Sequence, residues 1–199
     1  MDRQLTTEEM IFGSFSAGVT AWLARDMWRQ YLKKDRVFSD FIEDRADVRD
    51  YINKILQRTK FGRVLVFRTT NGGGIPHIGS PIYIKCLFED FDGDYFTSVK
   101  DELNRVEADE HCEKIITSLA KHKKVEVLTK SLEPGLLRDI YESQGVVMSI
   151  IYFLHQTKYE FYYMSVAVHR DRLGEIQNSD LLTAGLLAGQ IAKLYQKIH

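Results

Sequence analysis

The feature that most constrains the fold is the run VVMSIIYFLHQTKYEFYYMSVAVH from Val146 to His169. It is rich in branched and aromatic residues, and its two halves, Val146–Leu154 and Tyr159–His169, are separated by His155, Gln156, Thr157 and Lys158. Such a pair predicts a long hairpin with a four-residue connection, set in the middle of a sheet. The remaining elements must be arranged round that sheet. RVLVFRTT (Arg63–Thr70) and IYIKCLFE (Ile82–Glu89) predict two further strands, parted by the turn residues Asn71, Gly72, Gly73 and Gly74. KVEVLTK (Lys124–Lys130) alternates with the period of a half-buried strand.

Helices are predicted between and around these strands. Val99, Leu103, Val106, Ile115, Ile116 and Leu119 fall on one side of a helix over Ser98–Leu119, with Ser98 and Asp101 placed like a capping box. Pro134 and Gly145 bracket a short helix in LLRDIYESQ. At the end of the chain, Asn178 or Ser179 would cap a helix carrying Leu182, Leu186, Ile191 and Leu194 as its apolar stripe, with Gly185 and Gly189 as a second small-residue face.

The N-terminal part differs. From Thr7 to Thr59 there is no proline, which predicts one long helix or two nearly continuous ones. Met10–Ala24 is apolar throughout and sharply bounded by Glu8 and Glu9 before and Arg25 and Asp26 after. Fifteen helical residues extend about 22 Å, short of the ~30 Å hydrocarbon core. Phe12, Phe15, Val19 and Trp22 are therefore expected at a protein–protein interface, and membrane contact through residues 10–24 is the alternative. Phe38, Phe41, Val48, Ile52 and Ile55 continue at three- and four-residue steps, a short coiled-coil-like seam that adds Phe38 and Ile52 to the expected interface. Residues 1–36 are taken as this helical extension and 37–199 as the main domain.

Composition limits the function. With 27 Lys+Arg against 28 Asp+Glu the 199-residue chain has a formal charge of −1, which argues against a nucleic-acid partner. A chain of this length buries roughly 70% of its unfolded surface and needs no staple. Cys86 and Cys112 are accordingly expected as free thiols in a reducing compartment. That expectation places the protein in the cytoplasm or within a macromolecular assembly, with membrane association as the alternative.

The order of elements, helix, strand, Gly turn, strand, helix, strand, short helix, hairpin, helix, resembles the GAF family. RVLVFRTTNGGG, KVEVLTK with PGLLRDIYESQG, the hairpin and NSDLLTAGLLAGQIAKLY carry the resemblance, from about residue 38 to the C-terminus. It implies an α+β fold: an antiparallel five- to six-stranded sheet flanked by N- and C-terminal helices. It also implies a module that binds a small molecule, such as a cyclic nucleotide, a tetrapyrrole or an amino-acid derivative, or that dimerises through its terminal helices. The cyclic-nucleotide signature of that family is not met, because Asn53 and Lys54 lie on the entry helix and Phe96 is wrongly spaced from Asp101 and Glu102. Neither Cys86 nor Cys112 is placed for a bilin, and two cysteines are too few for a thiol reductase of this family.

Candidate chemistry is sparse. DFDGDYF (Asp90–Phe96) begins like a calcium loop but has Tyr95 at the sixth position and Asp101 at the twelfth, so a solvated acidic turn is expected. Asn71–Gly74 lacks the Lys-Ser/Thr of a phosphate-binding loop. The six histidines show no zinc spacing, so neither metal nor cofactor is expected. A ligand pocket is expected between the sheet and the segment from Phe91 to Phe96, with Phe91, Tyr95, Phe96, Tyr152 and His77 as its residues. The function expected is a non-enzymatic interaction module. It would associate with itself through its N- and C-terminal helices and serve as an assembly or structural component, for instance of a virus particle. The alternative is a membrane-tethered small-molecule sensor.

Overall fold

A computed structural model describes residues 45–71 and 81–198, together with Arg25. The chain divides into two units, Met1–Asp44 and Arg45–His199, and the second carries the sheet. The segment 10–24, with Phe12, Phe15, Val19 and Trp22, lies outside the described residues, as do Phe38, His77 and the expected boundary at 36/37.

Six antiparallel strands form one sheet: β1 (Arg63–Thr70), β2 (Tyr83–Phe91), β3 (Asn104–Glu107), β4 (Lys124–Leu128), β5 (Val146–Gln156) and β6 (Glu160–His169), in the order β3-β2-β1-β6-β5-β4. The β5–β6 hairpin lies inside the sheet, as the sequence predicts, but β5 continues to Gln156 and shortens the connection to Thr157, Lys158 and Tyr159. The architecture is α+β. Helix α1 is described over residues 45–58, followed by α2 (Glu110–His122), α3 (Leu136–Ser143) and α4 (Asn178–Ile198).

Strand side chains alternate between two faces, and both faces are buried. Val64 and Val66 of β1, Met164 and Val166 of β6 and Ile150 of β5 meet Val48, Ile52 and Ile55 of α1 and Ala184, Ala188 and Ile191 of α4. The intervening residues, Leu65 and Phe67 of β1, Tyr163 and Ala167 of β6 and Ile151 of β5, face the opposite layer, where Leu119 of α2 and Ile140 and Tyr141 of α3 close the core. Ile52, expected at an interface between chains, is 2% exposed and belongs to this chain's own core. The three-and-four spacing that suggested a coiled coil is satisfied by the sheet.

Two helices differ from expectation. The segment Ser98–Leu119 is not one helix: residues 97–99 are irregular, 100–103 form a turn, β3 follows, and α2 begins at Glu110 under an Asp109 cap whose carboxylate accepts from the Cys112 amide at 2.8 Å. The helical course is broken because Asn104–Glu107 pair with β2 and Arg105 takes φ 65, outside the helical region. Glu89 on β2 holds the stretch before it: its carboxylate accepts from the Ser98 hydroxyl and from the amides of Val99 (3.0 Å) and Lys100 (3.2 Å). In α4, Leu182 and Leu186 are 69% and 72% exposed, whereas Ala184, Ala188, Ile191, Leu194 and Tyr195 are buried. Leu182 and Ile191 are nine residues apart, about 180° round a helix, so one stripe cannot hold both. The cap is also shifted: the Gln177 amide donates to the Asp180 carboxylate at 2.8 Å.

Gly145 links α3 to β5 at φ +64, and a Cβ there would lie 2.4 Å from His169 Nε2. Left-handed backbone costs an L-residue about 1–2 kcal/mol before any clash. Gly145→Ala is expected to lower the unfolding free energy by at least that amount, read as a fall in the urea midpoint at unchanged slope.

Candidate functional site

On the α2/α3 side the sheet does not close completely. A cavity of about 70 Å³ lies between the strands and these helices. Every wall follows from the alternation of its strand: Arg63, Leu65 and Phe67 from β1 and Tyr163, Ser165 and Ala167 from β6 form the floor. Cys112, Ile115 and Ile116 of α2 and Leu137, Ile140 and Tyr141 of α3 form the roof. Ligand pockets for drug-sized molecules are ~300–1,000 Å³, so in this conformation the cavity has room only for a few atoms of an apolar group.

Its polar groups are few and specifically held. The Tyr141 hydroxyl is hydrogen-bonded to Ser149 Oγ at 2.6 Å, with Ser165 as a further polar neighbour. Burial pushes the Tyr141 phenol up and the Tyr163 phenol well up, while the hydroxyl partners of Tyr141 oppose the rise. Burial likewise pushes the Cys112 thiol up to about 12, reinforced by the Asp109 carboxylate, and the Cys86 thiol up to about 12, reinforced by Glu89. Both cysteines are free. As neutral thiols at physiological pH they are poor nucleophiles.

Arg63 seals one end. Its side chain is 2% exposed and that of its partner Glu89 3%, with Nε 3.6 Å from the carboxylate. Nη2 donates to Gln144 Oε1 at 2.9 Å and to the Thr97 carbonyl, joining the C-terminal end of α3 to the segment after β2. The guanidinium lies 4.5 Å from the centre of the Phe96 ring and 5.6 Å from that of Phe91. Desolvation lowers the Arg63 pKa and the charge of Glu89 opposes it.

The expected pocket residues are therefore separated. Phe91 and Phe96 gather round Arg63, and Tyr95 and Phe96 round His169, at ring-centre distances of 5.2 and 5.6 Å from the imidazole. None of the three lines the cavity, which they approach only through Arg63. Tyr152 cannot share a site with them: it faces the α1/α4 layer and its hydroxyl donates to the Leu181 carbonyl at 3.2 Å. Sequence reasoning missed Arg63, Cys112, Tyr141, Tyr163 and Ser165. An arginine opening an otherwise apolar strand, in step with Leu65 and Phe67, was the available signal. Among the described residues no group of three His, Cys, Asp or Glu could hold a metal ion, and Asp92 of the acidic turn is instead paired with Arg172 at 3.1 Å.

A six-stranded antiparallel sheet between two helical layers is an architecture that solved structures share. The chain has a GAF-like fold. It is similar to the GAF domain region of a protein from Geobacter sulfurreducens PCA (TM-score 0.55, 15% identity, 81% of this chain and 99% of that one). It is also similar to the PixJ GAF domain of Thermosynechococcus elongatus in its blue-light-absorbing form (TM-score 0.57, 10% identity, 81% and 89%). A third similar structure is a GAF/HD-domain protein of Geobacter sulfurreducens (TM-score 0.55, 10% identity, 76% and 91%). At these identities the likeness is one of fold. No family model matches the chain, and no curated protein matches it in sequence.

Two measurements test the site. Glu89→Gln leaves the buried guanidinium without its counter-charge and is expected to cost roughly 3–5 kcal/mol, with part recovered in the Arg63→Met/Glu89→Leu double variant. For the thiols and phenols, native pKa values lie above the ordinary 9.0 and 10.0. The native state thus holds protons that the unfolded chain has released, and stability falls with rising pH over that interval. Unfolding free energy is expected to be insensitive to these groups below about pH 9 and to decline from there toward pH 12. A thiol reagent at pH 8 should label neither cysteine until the protein is unfolded.

Proposed function

We propose that this chain is a non-enzymatic, GAF-like interaction module that associates with a second copy of itself through the helical layer, and so serves as a component of a larger assembly. The single observation that carries the reading is the outer face of α4, where Leu182 and Leu186 stand 69% and 72% exposed at a four-residue step. Gly189, which has open space round it, continues that face by one further turn. Leucines in register beside a glycine suit the close approach of a second helix, whose cost of leaving apolar surface in water is removed on pairing. Leu173, before α4, is a further exposed leucine, at 50%. The absence of catalysis is part of the same proposal. It is supported by the two protonated thiols, Cys86 buried and Cys112 partly so, and by His169, whose Nδ1 is 3.3 Å from the Asp171 carboxylate rather than beside a nucleophile.

A second reading, a small-molecule sensor, is favoured by the cavity under α2 and α3. Tethering to a membrane through 10–24 would lie outside the described residues, among which no helix is long and apolar enough to cross a membrane. The two readings are compatible, since a ligand that widened the cavity would push on the sheet that α4 packs against.

Light scattering of the full chain decides the first reading. A dimer or larger species is expected at micromolar concentration, and Leu182→Glu/Leu186→Glu is expected to shift it toward monomer by at least tenfold in dissociation constant, with an unchanged circular dichroism spectrum. A monomeric wild type at 100 micromolar, on the order of the weakest useful self-association, would refute it.

A further inference from the structure

The sheet bears a second recess, on the opposite side from the cavity and near the β5–β6 turn, about 510 Å³ in volume and bounded by Arg68, Lys85, Arg105, Tyr83, Tyr159 and Glu160, with Thr70 and Asn104 completing it. Its charge pattern is costly for the fold. Arg68 and Lys85 are directly opposite each other on β1 and β2, an arrangement in which like charges destabilise a sheet. Lys85 forms no ion pair among the described residues, and Arg68 is paired only with Glu160, at 3.2 Å. The Glu160 carboxylate is also engaged by the Tyr162 hydroxyl, and the Arg68 Nε is buried without a hydrogen-bond partner. Glu107, the cross-strand neighbour of Tyr83, lines the apolar cavity instead.

A third cation is brought to the same place by an irregularity in the backbone. In the β2–β3 ladder Ile84 pairs with Val106 and Lys85 with Asn104, so Arg105 is an extra residue in β3. It is held at φ 65, and its guanidinium lies 5.7 Å from the centre of the Tyr83 ring. A bulge of this kind re-aims a side chain, and a non-glycine residue held in left-handed backbone is characteristic of functional positions. Among the described residues, three cations and one already engaged carboxylate, with two tyrosine rings, leave the recess with two positive charges that no carboxylate lining it offsets.

We propose that this recess binds a small phosphate-bearing anion, with Lys85 and Arg105 as its principal charge partners, Arg68 as the third, and Tyr83 and Tyr159 as flat walls for whatever group the phosphate carries. The anion would offset the repulsion between Arg68 and Lys85. This site is independent of both the cavity and the α4 face.

The test uses the full chain with inorganic phosphate, and with sodium chloride at matched ionic strength as reference. Phosphate is expected to raise the melting temperature saturably and to shift the backbone amide resonances of Lys85 and Arg105 with a millimolar dissociation constant. Lys85→Gln is expected to melt at or above the wild-type temperature in chloride, because the like-charge pair is gone, while losing at least fivefold in phosphate affinity. Arg105→Gln should lose affinity to a similar extent. The proposal is overturned if chloride reproduces the effect, if Lys85→Gln keeps the wild-type response, or if heparin binds at these residues while phosphate does not, which would mark a polyanion surface in place of a small-anion site.

Discussion

A single buried ion pair organises the half of the molecule in which the cavity lies. Arg63 and Glu89 are almost wholly removed from water, and each spends its remaining hydrogen-bonding capacity on a different stretch of chain: Arg63 on Thr97 and Gln144, Glu89 on Ser98, Val99 and Lys100. Removing charges from water is expensive, and that cost is offset by the ion pair itself, by the two bonds that Arg63 Nη2 donates and by the three donors on Glu89, while Arg63 Nε stays buried without a hydrogen-bond partner. Three elements that are distant in sequence are fixed together as a result. The segment after β2 is tied down, the end of α3 is held against it, and the cavity acquires a polar end in otherwise apolar walls.

The sheet separates two surfaces of different character. On one side α1 packs through Val48, Ile52 and Ile55, and α4 places the small residues Ala184 and Ala188 against the strands with Leu182 and Leu186 turned outward. On the other, α2 and α3 cover the strands with larger side chains and leave a gap. Central strands buried on both faces connect the two layers directly: Tyr163 lines the cavity, while Met164, the next residue, lies in the α1/α4 core. A change in cavity volume would therefore reach the helical layer through one strand, without passing through any loop.

The strands were largely legible because their signal is local. Arg63–Thr70 coincides with β1, and the long hairpin and the short helix before Gly145 stand where pattern and turn residues place them. The α+β class and the GAF-like order follow from these. What failed depended on partners elsewhere in the chain. The periodicity of Ser98–Leu119 is genuinely helical in its second half, but pairing with β2 takes residues 104–107 into a strand. In α4, Ile191 and Leu194 are core as expected, but Leu182 and Leu186 face outward while Ala184 and Ala188 meet the sheet, because closeness of packing, not hydrophobicity alone, decides which face meets the strands.

The candidate site was less legible still. Phe91, Tyr95, Phe96 and Tyr152 are adjacent in expectation because all are aromatic and near predicted strand ends, yet strand parity sends Tyr152 to the other face. Parity is in the sequence; which parity faces which helix is not. The chain's own pattern determined that there would be a sheet with a central hairpin and flanking helices, since alternation and helical spacing act over a few residues. Only the tertiary structure decided where the cavity opens, that Arg63 closes it, and that three cations share one recess, because each of these requires strands and helices from separate parts of the chain to be brought within a few ångströms of one another.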